Sequence, residues 1–92
     1  MKLKHLNIIV KGKVQGVFYR KSTWKKATDL GIKGIVKNEP NGDVYIEAEG
    51  TEEQILNLVQ WCYEGPPTAN VDSLEITEKP TKGYTTFEIK YS

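Results

Sequence analysis

Asn41-Gly42 stands between two runs of alternating apolar residues, and it constrains the fold of this chain more than any other dipeptide in it. Asparagine followed by glycine is the strongest short hairpin signal, so residues 34–39 and 43–49 are expected to pair as antiparallel strands. Glu39-Pro40 closes the first of them. In the second, Val44, Ile46 and Ala48 alternate with Tyr45, Glu47 and Glu49. One face of the sheet is then apolar and the other acidic, and the acidic face is expected to look at water.

Helical patterns flank the hairpin on both sides. Tyr19, Thr23, Ala27 and Leu30 recur at helical spacing, which predicts a helix over residues 20–30 that stops at Gly31. Trp24 lies beside that stripe and is expected to cover its edge. Thr51 and Gln54 have the spacing of a capping box, with Glu52 and Glu53 at the positive end of the dipole. Ile55, Leu58, Val59 and Cys62 then form an apolar stripe that ends at Gly65-Pro66-Pro67. Outside the helices, residues 5–11 alternate as a strand through Leu6, Ile8 and Val10. Residues 71–78 and 84–91 read as two more strands, joined by a turn around Pro80 to Gly83. Strand, helix, strand, strand, helix, strand is the split βαβ, ferredoxin-like order. The fold class is therefore α+β: an antiparallel sheet of four to five strands with two helices on one face, and the first and third strands central. Residues 1–92 are one domain, with no repeat or internal linker.

This fold hosts many functions, so the chemistry must come from particular residues. The net charge of +1 gives no global field, which argues against a coat for nucleic acid or an anionic membrane. The N-terminal apolar run is too short to span a bilayer. Cys62, the only cysteine, allows neither an internal disulfide nor a cysteine metal site, and fits a reducing cytoplasmic setting.

Two features bear on a site. Gly12-Lys13-Val14-Gln15-Gly16-Val17-Phe18-Tyr19-Arg20 is a glycine-bearing loop between a strand and a helix, with an arginine at the helix entrance. Free N–H groups, the positive end of a dipole and a guanidinium fork make a local phosphate or carboxylate site. The second is Asn38. Strand parity sets it on the face of Val36, so it points toward the helices from the end of its strand. An inward amide there either bonds the hairpin backbone or holds something else.

Residues 12–20 resemble the acylphosphatase signature G-x-V-Q-G-V-x-[FY]-R at every defined position. Gly34-Ile35-Val36-Lys37-Asn38, followed by Asn41-Gly42-Asp43-Val44, resembles the family's second signature, with Ile35 where an aromatic is usual. Trp61, Gly65-Pro66, Ala69, Val71 and Phe87-Glu88-Ile89-Lys90-Tyr91 extend the likeness over the chain. The resemblance implies a monomeric enzyme that hydrolyses acyl phosphates to carboxylate and phosphate, without metal, cofactor or phosphoenzyme. Inorganic phosphate would be product and inhibitor. By motif position Arg20 is the phosphate-binding arginine, and Asn38 orients the attacking water. Backbone N–H groups of Gln15, Gly16, Val17, Phe18, Tyr19 and Arg20 assist in binding. Ile35 lies on the face opposite Asn38 and bears on acyl contacts, not on the reacting atoms.

Other residues have plainer readings. His5 is expected at an exposed strand edge, Cys62 buried and inert, and Trp24 and Trp61 as packing residues. Lys21, Lys25 and Lys26 form a solvated helix face, Glu47 and Glu49 solvent-facing charges. Glu39 points away from the site, and Thr23 supports the loop. The alternative is a ferredoxin-like RNA-binding or regulatory module without catalysis. For RNA, Tyr45 is the only aromatic on the third strand and shares its face with two carboxylates.

Overall fold

The computed structural model describes residues 2–91. The elements are β1 (Lys4–Lys13), α1 (Tyr19–Leu30), β2 (Lys33–Asn38), β3 (Val44–Gly50), α2 (Glu52–Glu64), β4 (Asn70–Lys79) and β5 (Phe87–Lys90). The sheet runs β4-β1-β3-β2-β5, which puts β1 and β3 at its centre as the ferredoxin-like order requires. Both helices pack on one face. Their contribution to the core is Tyr19 and Ala27 from α1 and Ile55, Leu58 and Cys62 from α2. The sheet supplies Ile8, Val10, Val36, Val44, Ile46 and Ala48, each fully enclosed. Enclosing one such aliphatic side chain contributes about 1.5–3 kcal/mol.

Local signals act where the sequence places them. The capping box closes around α2: Thr51 Oγ1 accepts from the Gln54 N–H and Gln54 Oε1 from the Thr51 N–H. Gly31 ends α1 with a left-handed φ of 80°. Register sets Asn38 opposite Val44, Val36 opposite Ile46 and Ile35 opposite Glu47, so Asn38 shares the helix-side face and Ile35 the other.

Three expectations need correction, and one segment is responsible. Residues 71–78 and 84–91 are not joined by a turn around Pro80 to Gly83, and the second strand begins only at Phe87. β4 lies at one edge of the sheet and β5 at the other, parallel to β2, so the sheet is mixed. The intervening segment 80–86 crosses the face away from the helices. Glu47 and Glu49 are consequently buried rather than solvent-facing. Glu49 accepts hydrogen bonds from the backbone N–H groups of Lys82, Gly83 and Tyr84. Glu47 takes the Lys82 ammonium at 2.9 Å and the hydroxyls of Tyr84 and Tyr45 at 2.8 and 2.7 Å. His5, expected at an exposed edge, is wholly enclosed. Its Nδ1 lies 2.7 Å from Glu49 Oε2, its Nε2 2.9 Å from Asn7 Oδ1, and its ring stacks on Tyr84. The polar face is thus a covered, hydrogen-bonded layer. An RNA-recognition module displays stacking aromatics on its central strands. Here segment 80–86 occupies that face.

This layer carries an acid sensitivity. Burial opposes the charge on Glu47, but the hydrogen bonds from Lys82, Tyr45 and Tyr84 outweigh it and hold the carboxyl at about 2. Burial likewise opposes the charge on Glu49, and the Lys82 N–H, His5 and the Tyr84 and Gly83 N–H groups pull its carboxyl below the usual value. A group depressed on folding adds stability above its unfolded value, near 4.5, and that stability is lost as pH falls toward the folded value. Thermal melts should therefore drop between about pH 4.5 and pH 2, with Glu47 contributing on the order of 3 kcal/mol. Glu47→Gln should flatten that dependence, and an unchanged acid limb in this variant would remove Glu47 from the account.

Candidate active site

The glycine-bearing loop begins where β1 leaves the sheet. At Lys11/Gly12 the β1–β4 register slips. A Cβ on Gly12 would lie 2.3 Å from the Asn70 carbonyl oxygen, so the approach of β4 demands this glycine. Gly16 is different: its φ is 72° and nothing lies within 4 Å of a Cβ built there, so it serves the turn itself. Val14 and Val17 are buried and pin the loop to the core, which leaves Gly16 and Phe18 outward. Three side-chain hydrogen bonds fasten the loop to its neighbours. Gln15 Nε2 donates to the carbonyls of Glu39 and Asp43 at 2.7 and 2.8 Å, which ties the loop to the β2–β3 hairpin. Thr68 Oγ1 donates to the Val17 carbonyl at 3.0 Å.

The loop delivers an uncapped helix. Phe18 is the N-cap of α1, in the left-handed region at φ 64° and ψ 21°, with no side-chain hydrogen bond to the first turn. There is no acidic residue in that turn, and Arg20 and Lys21 stand in it instead. α2 shows the ordinary solution, with a capping box and two glutamates. Each cation near a helix N-terminus forgoes or opposes about 0.3–1 kcal/mol of dipole interaction. Free N–H groups, dipole and cations at one place make a site for an anion.

A cleft of about 280 Å³ opens at this helix end, and its walls include Gly16, Phe18, Tyr19, Arg20 and Asn38. Two motifs far apart in sequence therefore meet. Asn38 comes from the end of β2, and its Oδ1 is buried without a hydrogen-bond partner among the described residues. An unmatched buried acceptor costs about 1–3 kcal/mol, so its presence needs a reason. The Arg20 guanidinium lies 4.8 Å above the Tyr91 ring, and it has no carboxylate within ion-pairing distance among the described residues.

Several expected residues divide their labour. Tyr19 opens the helix, but its ring is core: its hydroxyl donates to the Cys62 carbonyl at 2.7 Å, and burial pushes its phenol far above the usual value. Burial pushes the Cys62 thiol up to about 12, which suits an inert core residue. Thr23 donates back to the Tyr19 carbonyl within α1, so its hydroxyl braces the first turns of the helix. Trp24 donates to the Phe87 carbonyl at 3.0 Å and holds β5 against α1. Glu39 meets the site through its backbone carbonyl alone.

Lys21, Ile89 and Tyr91 also wall the cleft, and reading the loop and Asn38 did not find them. Lys21 looked like part of a solvated helix face. Ile89 and Tyr91 arrive because β5 pairs with β2, a placement that no local pattern announces. The only hint was the family-like closing segment from Phe87 to Tyr91.

Residues 6–89 match the family model described as Acylphosphatase. A protein named Acylphosphatase from Marinobacter nauticus is 47% identical over 88 residues, spanning 95% of this chain and 96% of that protein. Among solved structures, an acylphosphatase from Coxiella burnetii superposes with a TM-score of 0.93 at 40% identity, over 96% of this chain and 93% of that one. An acylphosphatase from Bacillus subtilis also reaches 0.93, at 35% identity, over 98% of this chain and 100% of that one.

Proposed function

The chain belongs to the acylphosphatase family, hydrolases that act on acid anhydrides, and we propose that its chemistry takes place in the cleft at the start of α1. The observation that carries this reading is the pairing, in one cleft, of an uncapped cationic helix start with the unmatched Asn38 Oδ1.

The Arg20 guanidinium and loop N–H groups from Gln15 to Arg20 bind the phosphoryl oxygens and offset the charge that builds on them. Asn38 accepts a hydrogen bond from a water and directs its oxygen at phosphorus. Asparagine cannot act as a base, so the water's proton passes to a phosphoryl oxygen. The new P–O bond forms as the bond to the acyl oxygen breaks, and the carboxylate leaves with the bonding pair. A carboxylate leaves readily without a general acid. Phosphoryl transfer asks chiefly for positioning and charge stabilisation, and these residues can supply both.

Among the described residues, the walls of the cleft include no carboxylate, imidazole or thiol, a poor donor set for a divalent cation beside two cationic side chains. The test is turnover of acetyl phosphate with inorganic phosphate as competitor. Turnover should survive exhaustive chelation, and phosphate should inhibit competitively. Dependence on a divalent ion would overturn the mechanism. We further infer a monomer acting in the cytoplasm, a setting that the single buried cysteine suits. No helix among the described residues is long and apolar enough to cross a membrane.

A further inference from the structure

Among the described residues seven large apolar or aromatic side chains are notably exposed, and the two most exposed of them are Phe18 at 76% and Tyr91 at 79%. Both line the cleft that holds Arg20 and Asn38. The other five, Leu3, Trp24, Leu56, Tyr63 and Ile76, are 39–57% exposed and line no part of that cleft. The two at the cleft stand open to solvent, Phe18 two residues before Arg20 in the chain and Tyr91 against the Arg20 guanidinium.

Phe18 is the stronger anomaly. Its backbone lies in the left-handed region, which glycine or asparagine enters easily and a bulky residue enters at a cost of about 1–2 kcal/mol. The ring is too exposed to recover much of that cost by packing, and Phe18 does not cap the helix with a side-chain bond. What the conformation does is set an aromatic ring at the mouth of the cleft. Tyr91, just past the end of β5, packs its ring on the Arg20 guanidinium at 4.8 Å, beside the group that marks the phosphoryl end. Ile89, half-buried, adds an aliphatic wall.

We propose that Phe18 and Tyr91 bind the acyl side of the substrate and select acyl phosphates with an aromatic or extended apolar acyl group. This rests on the proposed function, because it takes Arg20 to mark the phosphoryl end. The acyl carbon is attached to that phosphoryl group, so the acyl substituent must leave the cleft past its rim. There the two rings can cover an apolar substituent, while a methyl group is too short to reach them both. Contact of this kind discriminates by roughly tenfold to a hundredfold, the scale of a few methylenes or one aromatic contact.

The test compares kcat/KM for benzoyl phosphate with that for acetyl phosphate. The two share the phosphoryl group and differ in the acyl part, so their ratio cancels damage to the common chemistry. Phe18→Asn keeps a residue suited to the left-handed backbone and removes the ring; it should lower the benzoyl-to-acetyl ratio about tenfold. Phe18→Tyr should retain the ratio. Tyr91→Ser, which leaves the loop backbone alone, should lower it independently. A ratio within about twofold of wild type in both ring-removing variants would overturn the inference while the hydrolytic reading stands. A wild-type protein that turns over neither substrate would overturn both.

Discussion

Arg20→Lys is expected to lower kcat/KM for an acyl phosphate by about a hundredfold or more, with the fold intact. The substitution keeps the charge and removes the geometry. A guanidinium offers a planar fork that meets two phosphoryl oxygens at once, whereas an ammonium is a single point that pivots on a flexible stem. Charge-assisted hydrogen bonds each contribute about 1.5–3 kcal/mol, so losing one aligned bond in the transition state already accounts for such a change. The stacking on Tyr91, at 4.8 Å, orients the planar group and would be weakened as well. Steady-state kinetics and phosphate inhibition should deteriorate together, because the same oxygens are held in both. Thermal melting should move little, since Arg20 is only half-buried and makes no ion pair among the described residues. Turnover close to wild type would remove Arg20 from its proposed role.

The second large effect is the loss of Asn38. Asn38→Ala should reduce kcat by about a hundredfold or more, while the inhibition constant for phosphate changes only a few-fold. The stability of this variant discriminates between two roles. If Asn38 were a hairpin-fastening residue, truncation would break a bond and the protein would melt earlier. Its Oδ1 has no partner among the described residues, so truncation removes a desolvated acceptor instead. The melting temperature should hold or rise as activity collapses. A protein that loses stability and phosphate affinity in parallel would make Asn38 structural.

What could be read from the sequence depended on how far each interaction reaches along the chain. The Asn41-Gly42 hairpin, the Thr51 cap and the Gly31 stop are local, and each acts as its residue type dictates. Strand parity carried farther: it set Asn38 on the helix side before any coordinates, because alternation is rigid within a strand. The polar face was misjudged for the opposite reason. Tyr45, Glu47 and Glu49 announce a face that is not apolar. Alternation is silent on whether another segment will later cover that face with matched donors. The backbone N–H groups of residues 82–84 have no sequence signature, and they bury Glu49. His5 followed its neighbours inward. Gln15 could be assigned to the loop, but not its two bonds to Glu39 and Asp43, since these require knowing where the hairpin folds back. The hidden remainder of the site, Ile89 and Tyr91, depends on one parallel strand pairing at the sheet's far edge.

Segment 80–86, tethered over the sheet by Glu47 and Glu49, also makes the cleft a product of distant parts of the chain. The cleft draws one wall from the loop after β1 and another from β5, which lies on β2 at the edge of the sheet opposite β4. No early hairpin or single helix contains the whole centre, and its closure is a long-range step of the slow, topology-limited kind. A chain with β5 undocked would keep the glycine-bearing loop and lack the opposite wall, so the cleft is complete only when both ends of the sequence are in place.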